Sequence, residues 1–484
     1  VIKFNINNSM YKLLLICAIN FSFSQNSFDK LIKKEMNKWN IPGLSICVIK
    51  NSDILLKKSY GYIDVNDSIK INNETIFPIA SLTKAFTSTA LVNTLLLKKK
   101  SLNTKIKFYF DNFELNETSK TQDISIKKLL SHRTGYKSYQ GDFLILESDF
   151  KPKEILQRAW EIEPFYNKTD NYGYSNIGYI FSGLILEQLT EDSWSNGIDI
   201  QLLKPLKMHN TFSNYSKYLL NKNKALPHVF NNGKLNIVNN ISYENINPAG
   251  GLFSNINDMT NWLLFQIGEG VFENNSIIDS KIIRLTHKKA VTINSSHDYG
   301  LGWVIEKSGV DKIISHSGSV RGFTSSIMFC KEKKLGVVVL SNSDNTPICE
   351  IISKNIMDKL LNKRYVDHSE YYYKLYEKSY LSKNKIIKNF DHSIYKYLVG
   401  NYSNEIYGKI DIKEIEGKLI LSLEHHPNIK GIFSEIKNNL LVFKLDSILE
   451  EIHINIEEFN STMQIELGFL PYVDSQKYIF KKNE

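Results

Sequence analysis

Apolar residues at Phe28, Leu31, Ile32 and Met36 recur with helical spacing on a charged background, and Ser27 ahead of them is a ready cap. Ser27 to Trp39 is therefore predicted to be an amphipathic helix. Two short apolar runs follow, Leu44 to Ile49 and Ile54 to Tyr60, separated by Asn51, Ser52 and Asp53, whose turn chemistry predicts a hairpin. Comparable runs lie far along the chain, at Lys312 to Ser315, Phe323 to Cys330 and Leu335 to Ser341, with a helical pattern at Ile348 to Leu361 behind them. Strands at both ends of one region, with helices between, predict an α+β domain: an antiparallel sheet assembled from both ends and flanked by helices. From about Ser81 to Gln266 the pattern is mostly helical, a helical subdomain broken by long Asn-, Ser- and Gly-rich loops of the kind that carry function. Period-2 runs return at Lys409 to Ile415, Lys418 to Leu423, Leu440 to Leu445 and Glu451 to Ile456, and predict a C-terminal all-β barrel domain. The expected organisation is a leader at 1–24, a main domain at 25–365, an aromatic and charged connector at 366–390 and the barrel at 391–484.

The leader is read from Met10 onward, with Val1 to Ser9 as an over-extended start: Lys12 supplies the positive region, Leu13 to Ile19 the apolar stretch, and Ser22, Phe23 and Ser24 a small-x-small cleavage site. Export to a periplasmic or secreted location is expected. The apolar run is too short for a stable membrane span, and Ile16 ahead of Cys17 disfavours lipid attachment. Over 484 residues the composition is 42% hydrophobic and 23% charged, with 24 Gly and 10 Pro, which excludes disordered and collagen-like chains. Losing Lys3 and Lys12 with the leader lowers the formal charge from +9 to +7. Arginine is sparse and scattered (Arg133, Arg158, Arg284, Arg321, Arg364), so no basic stripe suited to nucleic acid emerges. Cys47, Cys330 and Cys349 remain after cleavage, an odd number without ligand spacing, and predict neither a disulfide framework nor a metal site.

Chemistry concentrates at three places. Ser81, Leu82, Thr83 and Lys84 open a long apolar helix, which sets a hydroxyl at a helix N-terminus and an amine one turn on along the same face. A lysine held in a dry pocket loses its proton more readily and becomes a base for that hydroxyl. Tyr174, Ser175 and Asn176 sit in a Gly-rich aromatic loop, and His316, Ser317, Gly318 and Ser319 are expected to end a strand and enter a turn. Gly173 to Ile177 imitates a nucleophile elbow, but the fifth position is Ile and no strand precedes it, so a Ser-His-Asp α/β-hydrolase is rejected.

Ser-x-x-Lys, then Tyr-x-Asn, then His-x-Gly, in that order, resembles the class C β-lactamase-like serine hydrolase superfamily of penicillin-recognising enzymes, esterases and D-amino-acid peptidases. Leu129 to Gly135, Asn247 to Ser254 and Tyr299 to Trp303 match further family signatures, and the likeness spans about residues 27 to 362. Gly400, Asn401, Tyr402, Tyr407 and Gly408 resemble, more weakly, the small β-barrel often fused to such hydrolases. The resemblance implies a β-lactamase/penicillin-binding-protein-like fold with Ser81 as acylated nucleophile, Lys84 and Tyr174 sharing its proton, and Asn176 gripping the substrate. It further implies an oxyanion hole at the backbone N–H groups of Ser81 and Ser319 beside Gly318, and His316 facing the substrate's acidic or polar end. Lysine and tyrosine placed together are expected to lower one another's pKa.

His316 stands where β-lactamases carry lysine, and a largely neutral imidazole anchors a carboxylate poorly. Ester hydrolysis, or cleavage of small D-amino-acid peptides, is therefore expected ahead of β-lactam hydrolysis. The rival is a penicillin-binding sensor that acylates with little turnover. The expected partner is a small-molecule ester or peptide, with no cofactor, metal or nucleic acid, and oligomeric state is left open. Arg321 is read as either a greeter of an acidic substrate group or a solvated turn residue, His132 as a loop hydrogen-bonder, and His425 and His426 as a surface strand end.

Overall fold

The computed structural model describes residues 26–483 apart from 111–122, 167–169, 232–233, 243, 308–310, 345–346, 365, 375–397, 438–439, 446–450, 456–463 and 469–473. The expected leader and most of the expected connector lie outside the described residues.

Nine antiparallel strands form the central sheet, in the order Val291–Thr292, His297–Tyr299, Val304–Glu306, Ile313–Val320, Phe323–Cys330, Leu335–Ser341, Gly43–Lys50, Asp53–Asp64 and Ile69–Lys70. The two ends of the domain meet where Gly43–Lys50 pairs with Leu335–Ser341, Leu44 opposite Ser341 and Lys50 opposite Leu335. Alternation along these strands sorts side chains into two layers. Leu44, Ile46, Val48, Val337 and Val339 pack under the helix at 26–38 and the helix Ile348–Leu360, whereas Cys47, Ile49, Val338 and Leu340 face the opposite core with Phe86 and Trp262. Burial on both faces is why these strands read as unbroken apolar runs. Cys47, Cys330 and Cys349 are buried free thiols.

One strand is longer than its apolar pattern. Ile313–Val320 continues through His316, Gly318 and Ser319, with Ser317 opposite Ser326 and Ser319 opposite Thr324, so the four residues form the end of the strand, as expected, and the turn begins only at Arg321. Small polar residues line this stretch because one face of it, at Ser317 and Ser319, is exposed and not packed into the core. The three short strands beyond it had no apolar run to announce them.

Eight antiparallel strands between Gly400 and Lys482 form a closed meander barrel, completed where Tyr402 pairs with Lys482. Its interior is filled by alternating residues such as Ile410, Ile412, Leu419, Leu421, Leu441, Phe443 and Phe480. The barrel docks on the main domain, and here the reading of His425 and His426 as a surface strand end is corrected. His426 is 1% exposed, stacks on Phe143 and donates from Nε2 to the Phe143 carbonyl at 2.9 Å, while His425 Nδ1 meets Asp149 at 2.9 Å. Arg158 reaches across to the carbonyls of Glu405 and Ile406. Among the described residues, no helix is long and apolar enough to cross a membrane.

Candidate active site

Ser81 lies in a short 3-10 turn, Ala80–Leu82, that runs directly into the helix Thr83–Leu97. Ala80 takes φ +48, a left-handed conformation that costs a side-chain-bearing residue roughly 1 kcal/mol. That strained peptide, anchored by Ser325 Oγ donating to the Ile79 carbonyl at 2.8 Å, lifts Ser81 toward the cleft. Lys84, one turn later, is fully buried.

Ser175 caps the helix Asn176–Thr190 by accepting from Gly178 N, so the chain is extended at Ser175 and helical from Asn176. This places the Tyr174 hydroxyl 2.8 Å from Ser81 Oγ and Asn176 Oδ1 2.7 Å from Lys84 Nζ. Ala249, in the Asn247–Gly250 turn, turns its carbonyl to Lys84 Nζ at 2.8 Å, and Ser81 Oγ lies 3.0 Å from the same nitrogen. Two of the three neighbours of Nζ can only accept. A neutral amine has two N–H bonds for them and a lone pair left for the Ser81 hydroxyl. Burial agrees with this assignment: it pushes the Lys84 pKa down to about 7, partly opposed by the charge of Asp142.

Tyr174 departs from the sequence expectation. Burial, reinforced by Tyr139, raises its pKa well above the ordinary value, so the phenol keeps its proton and the mutual lowering expected of the pair is not found. Of the two, Lys84 is the group whose proton burial loosens, and Tyr174 donates to Ser81 Oγ.

Gly318 belongs to the strand Ile313–Val320 where it passes Ser81. A Cβ there would lie 2.6 Å from the Ile79 carbonyl and 3.0 Å from Ser81 N, so only glycine lets the strand edge come this close. Ser319 follows, exposed to the cleft. This close approach brings the strand at Gly318 against the backbone of Ser81. Gly318→Ala is expected to slow Ser81 acylation by a fluorophosphonate by ~10²-fold or more, with the melting curve still cooperative.

His316 is 4% exposed and both ring nitrogens are engaged. Nδ1–H donates to the Ser317 carbonyl at 2.7 Å, which leaves Nε2 to accept from the Tyr299 hydroxyl at 3.1 Å. On the far side, His132 Nδ1 accepts from Ser175 N at 3.0 Å, so its Nε2–H donates to the same Tyr299 oxygen at 3.1 Å. Tyr299 accepts from one imidazole and donates to the other, and both rings are neutral. Burial, with the nearby Lys84, lowers the His316 pKa to about 3 and places that of His132 well below its usual value. His132 makes the loop hydrogen bond expected of it, to Ser175 N, and is in addition a buried member of the site. Arg321 is neither a solvated turn residue nor a free greeter of substrate: it is largely buried 3.5 Å from Glu147.

Every sequence-predicted site residue, Ser81, Lys84, Tyr174, Asn176, His316, Gly318 and Ser319, lies at this cleft. Sequence reasoning did not assign Tyr299 or His132 a place here, although both stand in signatures that had been singled out, and it missed Asp142, whose Oδ2 accepts from Asn176 Nδ2 at 2.5 Å. Asp142 follows a glycine in a loop without periodicity, and no pattern marks it. Among the described residues, no cluster of His, Cys, Asp and Glu could hold a metal ion.

A family model described as Beta-lactamase matches residues 28–351. Protein flp of Staphylococcus aureus (strain MW2) is 26% identical over 353 residues, covering 72% of this chain and 68% of its own length. Beta-lactamase-like protein 4 of Dictyostelium discoideum is 27% identical over 346 residues, 64% of this chain and 58% of its own. A solved structure, the octameric penicillin-binding protein homologue from Pyrococcus abyssi, superposes with a TM-score of 0.63 at 22% identity, covering 94% of this chain and 99% of that one. This last likeness extends to the barrel and concerns the fold.

Proposed function

We propose that this chain, which belongs to the beta-lactamase family, is a serine hydrolase that cleaves small esters or amides through an acyl-enzyme on Ser81. The observation that carries the reading is the arrangement at Lys84: an amine buried among two acceptors, its remaining valence directed at the Ser81 hydroxyl. Neutral Lys84 takes the hydroxyl proton as Ser81 Oγ attacks the substrate carbonyl, and the N–H groups of Ser81 and Ser319 receive the oxyanion. Tyr174 hands its proton to the leaving group and is reprotonated from Lys84. A water then enters, gives its proton to Lys84 and displaces Ser81, which recovers that proton. Activity accordingly rises as pH passes upward through about 7, where Lys84 becomes neutral.

His316 supports a narrower substrate class. A neutral ring with both nitrogens occupied offers a carboxylate no charge, so the reading favours esters and amides that lack an acid group at that end over penicillins and free-acid peptides. The leader pattern supports export, which would expose the enzyme to such molecules outside the cytoplasm.

Two forms of one acyl-depsipeptide test this, one ending in a free carboxylate and one in its methyl ester. The methyl ester is expected to be cleaved at least as fast, with an initial burst of product equal to the enzyme concentration. A burst without further turnover would move the assignment to an acylated sensor, and a strong preference for the free acid would overturn the substrate class.

A further inference from the structure

Resting on the hydrolase reading above, we propose that Asp142 is a positioning residue that holds Asn176 in register for Lys84, and that Asp474 of the barrel holds Asp142 in turn. The barrel would then be part of the scaffold of the active site.

The chain of contacts is continuous. Asn176 Oδ1 accepts from Lys84 at 2.7 Å, and its Nδ2 donates to Asp142 Oδ2 at 2.5 Å. An amide placed between an amine and a carboxylate has one good orientation: turned over, it would set oxygen against oxygen and N–H against N–H. Asp142 Oδ1 is buried with no hydrogen-bond partner among the described residues, so Asn176 is the side chain through which this carboxyl acts. Asp142 sits in the short turn Asp142–Leu144, entered through Gly141 at φ +82, where a Cβ would lie 2.6 Å from Ile162 and 2.9 Å from Ile177.

Asp474 grips that turn from the barrel. Its Oδ2 accepts from Phe143 N at 3.2 Å, from Tyr478 at 3.2 Å and from Tyr407 at 3.3 Å, while Oδ1 accepts from Gln476 N at 3.0 Å. Gln476 also bonds Gln140, and His426 donates to the Phe143 carbonyl, so the turn is held on both sides by barrel residues. Asp474 is 1% exposed, and nothing at the surface explains a carboxyl so placed.

The charges around the pair fix the sign of the test. Asp142 faces Asp474 and Tyr478 from the barrel, Tyr139 from its own loop, and Lys84 and Asn176 from the two helices. Lys84 faces Asp142, His132, His316 and the rings of Tyr174 and Tyr179. Burial, with Asp474 beside it, raises the Asp142 pKa to about 7, so it titrates together with Lys84; in its ionised form it raises the Lys84 pKa against the lowering by burial. Removing that charge must move the Lys84 titration to lower pH.

The test uses the full chain, with p-nitrophenyl acetate turnover followed from pH 5 to 9 and fluorophosphonate labelling of the wild type alongside. Asp142→Asn is expected to lower kcat/KM by ~10-fold and to shift the acid limb downward by roughly half a pH unit or more. Asp142→Glu, which keeps the charge on a longer arm, is expected to lower kcat with the limb unmoved. Asp474→Asn, which turns an amide N–H toward existing donors, is expected to cost a similar factor alone and little in the Asp142→Asn background. An Asp142→Asn limb at the wild-type pH overturns the role of Asp142, and losses that multiply in the double variant overturn the role of the barrel. Wild type that fails to label at Ser81 sinks the underlying hydrolase reading instead.

Discussion

Ser81→Ala is expected to abolish ester turnover, lowering kcat by on the order of 10⁴-fold or more, with the fold intact. In the proposed mechanism the hydroxyl is the group that bonds to substrate, and neighbouring side chains do not replace it: Tyr174 keeps its proton, and Lys84 is buried against the Ala249 carbonyl. The stability cost is about 1 kcal/mol, because the substitution removes one partly buried hydroxyl with its contacts to Lys84 and Tyr174 and leaves the backbone as it is. Stopped-flow release of p-nitrophenol, with a thermal melt, separates the two effects. Turnover in the alanine variant within tenfold of wild type would show that acylation occurs elsewhere.

The second large effect is at Lys84. Lys84→Met is expected to reduce kcat/KM by ~10³-fold and to remove the acid limb that the wild type shows near pH 7. Below that pH the wild-type amine is protonated and cannot accept from Ser81; above it the amine is neutral, so the rate climbs with pH. Methionine has no proton to lose and fills similar space, so its residual activity should be flat through this range. Folding should survive, since exchanging a buried amine for a thioether offsets the lost contacts to Asn176 and Ala249 by removing a desolvated ionisable group. A limb that persists at the same pH in Lys84→Met would assign the titration to another group.

The sheet was legible where side chains on both faces of a strand are buried. Gly43–Lys50, Phe323–Cys330 and Leu335–Ser341 read as apolar runs because both faces pack against helices. The same rule hid the strands that border the cleft: the polar end of Ile313–Val320 and the short strands at Val291, His297 and Val304 carry no apolar alternation, and their pairing is set by neighbours distant in sequence. In the site, Ser81, Lys84, Tyr174 and Asn176 were legible because helix spacing and short motifs carry them.

Charge state was harder to read than position. The expected lowering holds for Lys84 and fails for Tyr174, because burial was weighed for the amine and not for the phenol, and it drives the two in opposite directions. His132 comes from a loop, Asp142 from a short turn and Tyr299 from a strand, and only the folded chain shows that two imidazoles share one phenol or that a carboxyl accepts from Asn176.

The central claim is that Ser81 is the residue acylated, and intact-mass analysis after exposure to a fluorophosphonate probe tests it most directly. Wild type is expected to gain the mass of one phosphonyl group, mapped to the peptide containing Ser81, and Ser81→Ala to gain none. Labelling of both proteins alike, or of neither, would contradict the account.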